Sequence, residues 1–278
     1  MTTALSTRLT PSLRRRPSQA TTRRVVASEL TKLRLRSTVV ALAVAVVLVV
    51  AVGAAMAIGV LVQEVPADGL ADAPAGAPAT AALSGVEAAV YAVAALGVIA
   101  VTGEFASRSI TTTFAAVPHR SRVVLGKALA VGVLVLAVML PAMLVTFAAT
   151  QVILGRAGIA VSLVDPGVLR AMVGAALYLT VVAVLAGGLG WLLRSTAGAY
   201  MVLIGVLVLV PALATLLPGD LAAAVLPYLP SAAGTAVMQL EATGQLAPWA
   251  GFAVFVLYAV GTLVVAAAVV RRRDVRST

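Results

Sequence analysis

Long uncharged apolar runs alternate with short polar segments along this chain. The runs occupy about 39–62, 85–102, 128–150, 168–193, 199–217 and 249–270. Each approaches or exceeds the ~20 apolar residues that a helix needs to cross the hydrocarbon core of a bilayer. Within each run the apolar residues are continuous instead of alternating over about 10 residues, which excludes barrel strands. The pattern therefore predicts an all-α integral membrane protein with six transmembrane helices. Pro141 in the third run and Pro211 in the fifth predict kinks. Val39 to Val62 is too long for the apolar core of a signal peptide, so the first span is expected to stay in the mature protein despite the small residues near Ala73 to Ala79.

The segments between the runs have distinct characters. Residues 1–25 are rich in Ser, Thr and Arg with two prolines and no apolar period, and read as a basic, disordered tail ahead of a membrane domain spanning 26–278. Val26, Leu30 and Leu33 then recur at helical spacing among Glu29, Lys32, Arg34 and Arg36, which predicts a basic helix lying in the membrane interface. Residues 63–84 carry Glu64, Asp68 and Asp72 with several Pro and Gly, and read as a flexible outer loop. Residues 218–248 are too polar to span and too apolar to float free. They are expected to form two short outer helices before the last span, with Ser231 as a cap.

Composition agrees with this layout. Hydrophobic residues make up 62% of the 278 and charged residues 11%, about half the charged fraction of a soluble domain. Mean hydropathy is +1.09. The formal charge of +10 would suggest nucleic acid for a soluble protein, but here it orients the chain. Of the 20 lysines and arginines, all but Arg156 and Arg170 fall before the first span, in the central loop, at Arg194, or after the last span. The positive-inside rule then places the N-terminus, the central loop and the C-terminus in the cytoplasm, as in a multi-pass plasma-membrane protein, and nucleic acid is not an expected partner.

The central stretch from Gly103 to Lys127 is the one interior run that is both polar and basic. Ser109 can cap a short helix on which Ile110 and Phe114 share a face, and Pro118 ends it. With Arg108 before it and Arg120 after it, that helix could dock into a groove on a soluble partner, or it could be an incidental interfacial helix. Glu104, at the inner end of the second span, is expected to find a partner among Lys32, Arg34, Arg122 and Lys127, or else to be a solvated loop charge.

Catalytic motifs are missing. No phosphate-binding loop, HExxH or GxSxG is present, so ATP hydrolysis is not expected of this chain, and neither is intramembrane hydrolysis. Cysteine is absent and His119 is alone, so no metal site is expected. Within the spans, Glu87 is the one acidic candidate, either a gate or cation site or simply a hydrated carboxylate near the outer surface. Thr146, Tyr178, Thr180 and Thr215 are expected mostly to bond to their own helix backbones. The pair Ala55 and Gly59 and the run Gly187 to Gly190 could mark helix contacts, although in so alanine-rich a chain they say little.

Four stretches in this order carry a resemblance: SELTKLRLRST before the first span, GEFASRSITTTFAAVPHRSRVVLGK after the second, LLRSTAGAY between the fourth and fifth, and YLPSAAGTAV before the sixth. From about residue 26 to the end the chain resembles the permease subunits of ABC-2 type transporters. The resemblance implies that Ser28 to Ser37 form a connecting (elbow) helix and that Ser109 to Ala116 form a cytoplasmic coupling helix meeting a separate ATPase subunit. It also implies that Leu221 to Glu241 form the outer helices. Arg108, Ser109, Ile110, Phe114 and Arg120 would then belong to the ATPase interface, with ATP and Mg held by the partner and no cofactor by this chain. Two such chains, identical or related, would pair in the lipid bilayer and export a hydrophobic or amphipathic cargo such as a drug, antibiotic or lipid-like molecule. The long arginine-rich tail and the small outer domain depart from many members, which puts a large external function in doubt. The alternatives are a non-transporting membrane anchor or immunity protein, and a secondary carrier built on a three-plus-three repeat.

Overall fold

The computed structural model describes residues 22–33, 36–62, 77–111, 114, 120–240 and 246–272. The arginine-rich tail as far as residue 21, most of the acidic loop, Arg34 and His119 lie outside the described residues. The first described helix is α1 (Thr22–Lys32), which starts inside the segment read as tail and ends before Arg34 and Arg36 of the expected basic helix. The first span is α2 (Arg36–Val62). A short α3 (Ala77–Leu83) then leads into α4 (Gly85–Ala106), the second span. The third span is α5 (Arg120–Leu154) and the fourth α6 (Val168–Leu193). The fifth is made of α7 (Thr196–Ile204), a π-helical turn (Gly205–Leu209) and α8 (Val210–Ala214). Ahead of the last span lie α9 (Gly219–Val225) and α10 (Pro230–Thr235), each followed by a 3-10 turn, and α11 (Pro248–Arg272) is the last span.

Six helices are long and apolar enough to cross a membrane, and the described residues contain no strand. Two of them form the centre of the bundle. The most apolar windows of α4 and α6 are 61% buried, against 22% for the first, fifth and sixth spans. The exposed faces of those outer spans are themselves apolar, with Val47, Met201, Leu213 and Val264 among them. A face of that kind suits lipid or another membrane helix instead of water.

Small residues let α4 and α6 approach closely. A Cβ on Gly97 would run into the Ala183 carbonyl, and Gly187 and Gly190 lie against Gly97, Val98 and Val101. Gly188, in the same run, faces Thr262 on α11. The glycine run therefore does mark helix contacts. A Cβ on Gly59, by contrast, would meet nothing within 4 Å among the described residues, so this glycine marks no close helix contact there.

Pro141 lies inside α5, which continues without a break for 35 residues, or about 52 Å at 1.5 Å per residue. That exceeds the ~30 Å hydrocarbon core, so α5 tilts or projects beyond it. In the fifth span the irregularity precedes Pro211. Proline has no N–H to give the preceding turn, and the Val210 N–H reaches back five residues to the Gly205 carbonyl, in π register.

Three of the four span hydroxyls do as expected. Thr146 donates to the Ala142 carbonyl at 2.8 Å, Thr180 to Ala176 at 2.8 Å and Thr215 to Ala212 at 2.7 Å. Tyr178 does not. Arg170, one of the two bases outside the charge pattern, donates to the carbonyls of Val237 at 3.2 Å and Gln239 at 2.9 Å. It ties the start of α6 to the end of the outer helices, which explains an arginine at that end of the bundle.

Candidate functional site

At the basic end of the bundle α1, α4 and α5 meet around one ammonium. Lys127 Nζ lies 2.8 Å from Glu29 Oε2 and 2.8 Å from Glu104 Oε1, and donates to the Ala100 carbonyl at 3.0 Å. Glu104 and the Ala100 carbonyl accept hydrogen bonds from the ammonium, and Glu29 faces it as an ion pair. Lys127 and Glu29 are buried, and Glu104 is mostly covered. Burying such charges costs several kcal/mol per ion unless each is paired and hydrogen-bonded. The apolar stripe of α1 brings Glu29 there: Leu33 is buried in the core, and Val26 and Leu30 pack against it.

Beside this cluster the chain leaves α4 through a sharp turn. The Ser107 N–H bonds to the Gly103 carbonyl at 3.0 Å, and the Arg108 N–H to Phe105 at 3.3 Å. Arg108 then adopts a left-handed backbone, φ 56°, a conformation that costs a non-glycine residue about 1–2 kcal/mol. The Thr111 hydroxyl bonds back to the Arg108 carbonyl at 2.9 Å, and the Ser107 and Ser109 hydroxyls lie 3.0 Å apart. Arg194 closes α6 in the same way, at φ 53°. Both arginines bring positive charge to a helix C-terminus, where the carbonyl dipoles favour it.

Ile110 and Phe114 do not project into water. Ile110 is 3% exposed in an apolar cluster with Val101, Val123, Val124, Trp191 and Val270. Phe114 stacks on Trp191 with ring centroids 6.3 Å apart, and Phe105 meets the same indole edge-on at 5.6 Å. The Arg194 guanidinium sits over the Phe105 ring at 5.3 Å. Trp191 at the end of α6 and the first turns of α5 thus offer an apolar bed that buries Ile110 and partly covers Phe114. Ser107, Arg108 and Thr111 are exposed in this turn, with Ser109 half-buried.

The structure brings together two of the expected cluster, Glu104 and Lys127. Arg122 is half-buried about one and a half turns earlier on α5. Lys32 ends α1 and Arg120 opens α5, but their side chains, like Arg34 altogether, lie outside the described residues. Sequence reasoning missed Glu29. Its signal was present: on a helical wheel Glu29 falls about 40° from Leu33, on the flank of the apolar stripe and away from the basic face.

The arrangement joins three elements through buried charge and a fourth, α6, through stacked rings. A displacement of the Arg108–Thr111 turn would reach the adjoining ends of α4, α5 and α6 directly. Among the described residues no group of three or more His, Cys, Asp or Glu side chains is gathered for a metal ion. No family model, curated protein or solved structure matches this chain.

Proposed function

We propose that this chain is the membrane-spanning permease subunit of an ATP-driven exporter of the ABC-2 type, placed in the cell membrane with both termini in the cytoplasm. The observation that carries the reading is the junction at the basic end. There an exposed, hydrogen-bonded turn between the second and third spans is anchored by Trp191 and flanked by the Glu29–Lys127–Glu104 cluster. A rigid, charge-tied junction between a polar turn and the ends of several spans suits the transmission of force from a soluble partner into the bilayer. The interfacial helix α1 is the elbow, the segment from Arg108 to Phe114 is the coupling element, and α9 and α10 are the outer helices.

ATP and Mg bind to a separate ATPase subunit, two copies of which serve a pair of permease chains. Closing of the ATPases on ATP moves the coupling elements, and the paired bundles switch from inward to outward access. The coupling surface on this chain is Arg108, Ser109 and Thr111, with Ile110 and Phe114 supporting it from beneath. The cargo is hydrophobic or amphipathic. The test is co-expression with a Walker-type ATPase encoded beside this chain, followed by reconstitution of the purified complex into vesicles. The expected result is a stable complex whose hydrolysis drives cargo movement. Transport driven by a proton gradient without ATP would overturn the reading in favour of a secondary carrier, and the absence of any ATPase complex would favour an anchor.

A further inference from the structure

We propose that the cavity between α4, α6, the π-helical turn and α10 binds a lipophilic organic monocation, with Glu87 as its counter-ion and Tyr91 and Tyr178 as its aromatic walls. The cavity measures about 430 Å³, within the range of sites that hold drug-sized ligands. It lies at the end of the bundle opposite Lys127, since Glu87 stands about 26 Å along α4 from Glu104 at 1.5 Å per residue. The proposal deepens the transport reading by naming a cargo class, and it rests on that reading only for the direction in which the cargo moves.

Three observations carry it. Glu87 is exposed at the cavity and has no basic partner among the described residues. A carboxylate at the membrane edge without a counter-ion is a place for a cation from outside the chain. Tyr178 is the second. It is 4% exposed, lines the cavity, and its hydroxyl, unlike those of Thr146, Thr180 and Thr215, bonds to no described residue. Its ring is held in place by Phe255, with centroids 5.3 Å apart. The room for it exists because residue 234 is glycine, where a Cβ would stand 2.6 Å from Tyr178 Cε2.

The third observation is the mixture of walls. Val86, Val90 and Leu207 line the cavity along with the two tyrosines, so it offers apolar and aromatic surface as well as one negative charge. Ring faces and a single carboxylate attract an ammonium or phosphonium dressed in apolar groups. A hydrated divalent metal would ask for several oxygen ligands with more than one charge among them.

The test measures binding to the full chain alone, in nanodiscs, without ATPase or nucleotide. The probe is radiolabelled tetraphenylphosphonium, and neutral triphenylphosphine oxide is the comparator. Wild type should bind the cation saturably and the neutral compound much more weakly. Glu87→Gln, which preserves size, should weaken cation binding by about tenfold or more, the worth of a charge-assisted contact, and Glu87→Asp should retain most of it. Four results would overturn the proposal: no saturable binding by wild type, equal binding by wild type and Glu87→Gln, equal affinity for the neutral compound, or equal loss in both Glu87 variants. Because no ATPase enters the measurement, none of these bears on the export reading, which stands or falls on the copurified complex.

Discussion

Lys127 Nζ and Glu29 Oε2 lie 2.8 Å apart, so the short helix α1 is fastened to the third span by a buried ion pair. Removing the cation alone leaves carboxylates in a dry setting, which typically costs about 3–5 kcal/mol. Lys127→Met should therefore lower the midpoint of unfolding in detergent micelles. Lys127→Met combined with Glu29→Gln should lose less than the sum of the two single changes, because the pair is coupled. Additive losses would mean that the contact contributes nothing of its own.

Glu104→Gln keeps the shape of the third partner and removes its charge. Glu104 is less deeply buried than Glu29, so the fold should survive while the stiffness of the junction falls. ATP-driven transport should drop more than protein level. Wild-type transport by this variant would leave Glu104 a structural charge with no part in transmission.

The coupling turn separates stability from partner contact. An aspartate in place of Ile110 would be buried among Trp191, Val123 and Val124, at a cost of several kcal/mol. Ile110→Asp should reduce the amount of folded protein in the membrane. Arg108→Glu and Thr111→Glu change exposed side chains, so they should insert normally yet lose the copurifying ATPase. If both exposed variants kept the ATPase and transport, the turn would be only a connector.

Helix packing gives a contrast within one residue type. Gly97→Ala forces a Cβ into the backbone of α6 at Ala183 and should destabilise the bundle by about 1–3 kcal/mol. Gly59→Ala meets open space and should stabilise α2 by about 0.5–1 kcal/mol through helix propensity. Unfolding midpoints that move the same way for both variants would contradict the packing of α4 against α6.

Orientation is testable by labelling. Single cysteines at Ser18, Ser107 and Ser277 should resist an impermeant thiol reagent in sealed cells, whereas one at Ala75 should react. The expectation follows from the distribution of lysine and arginine. Reaction at Ser107 in sealed cells would overturn both the topology and the coupling reading.

The sequence determined the fold class and the six spans, because the cost of placing unpaired backbone or charge in hydrocarbon leaves few alternatives for runs this long and apolar. It also predicted a short basic helix ahead of the first span, found at Thr22–Lys32 where residues 26–36 were expected, and named Lys127 among the partners of Glu104. Local spacing could say no more than that. Which of four candidate bases Glu104 meets, and that Glu29 shares the same ammonium, depends on the angle at which α1 lies on α5. The role of Ile110 depends on Trp191, a residue in another span whose position no periodicity reveals. Gly97 and Gly59 look alike in sequence, and only the close approach of α6 makes one of them indispensable. The sequence could likewise flag Glu87 as the acidic residue of the spans, but the cavity beside it is made by α6, the π-helical turn and α10 folding back around α4. Composition and hydropathy act through solvent and are written locally, whereas partnerships between buried groups depend on geometry that only the packed helices supply.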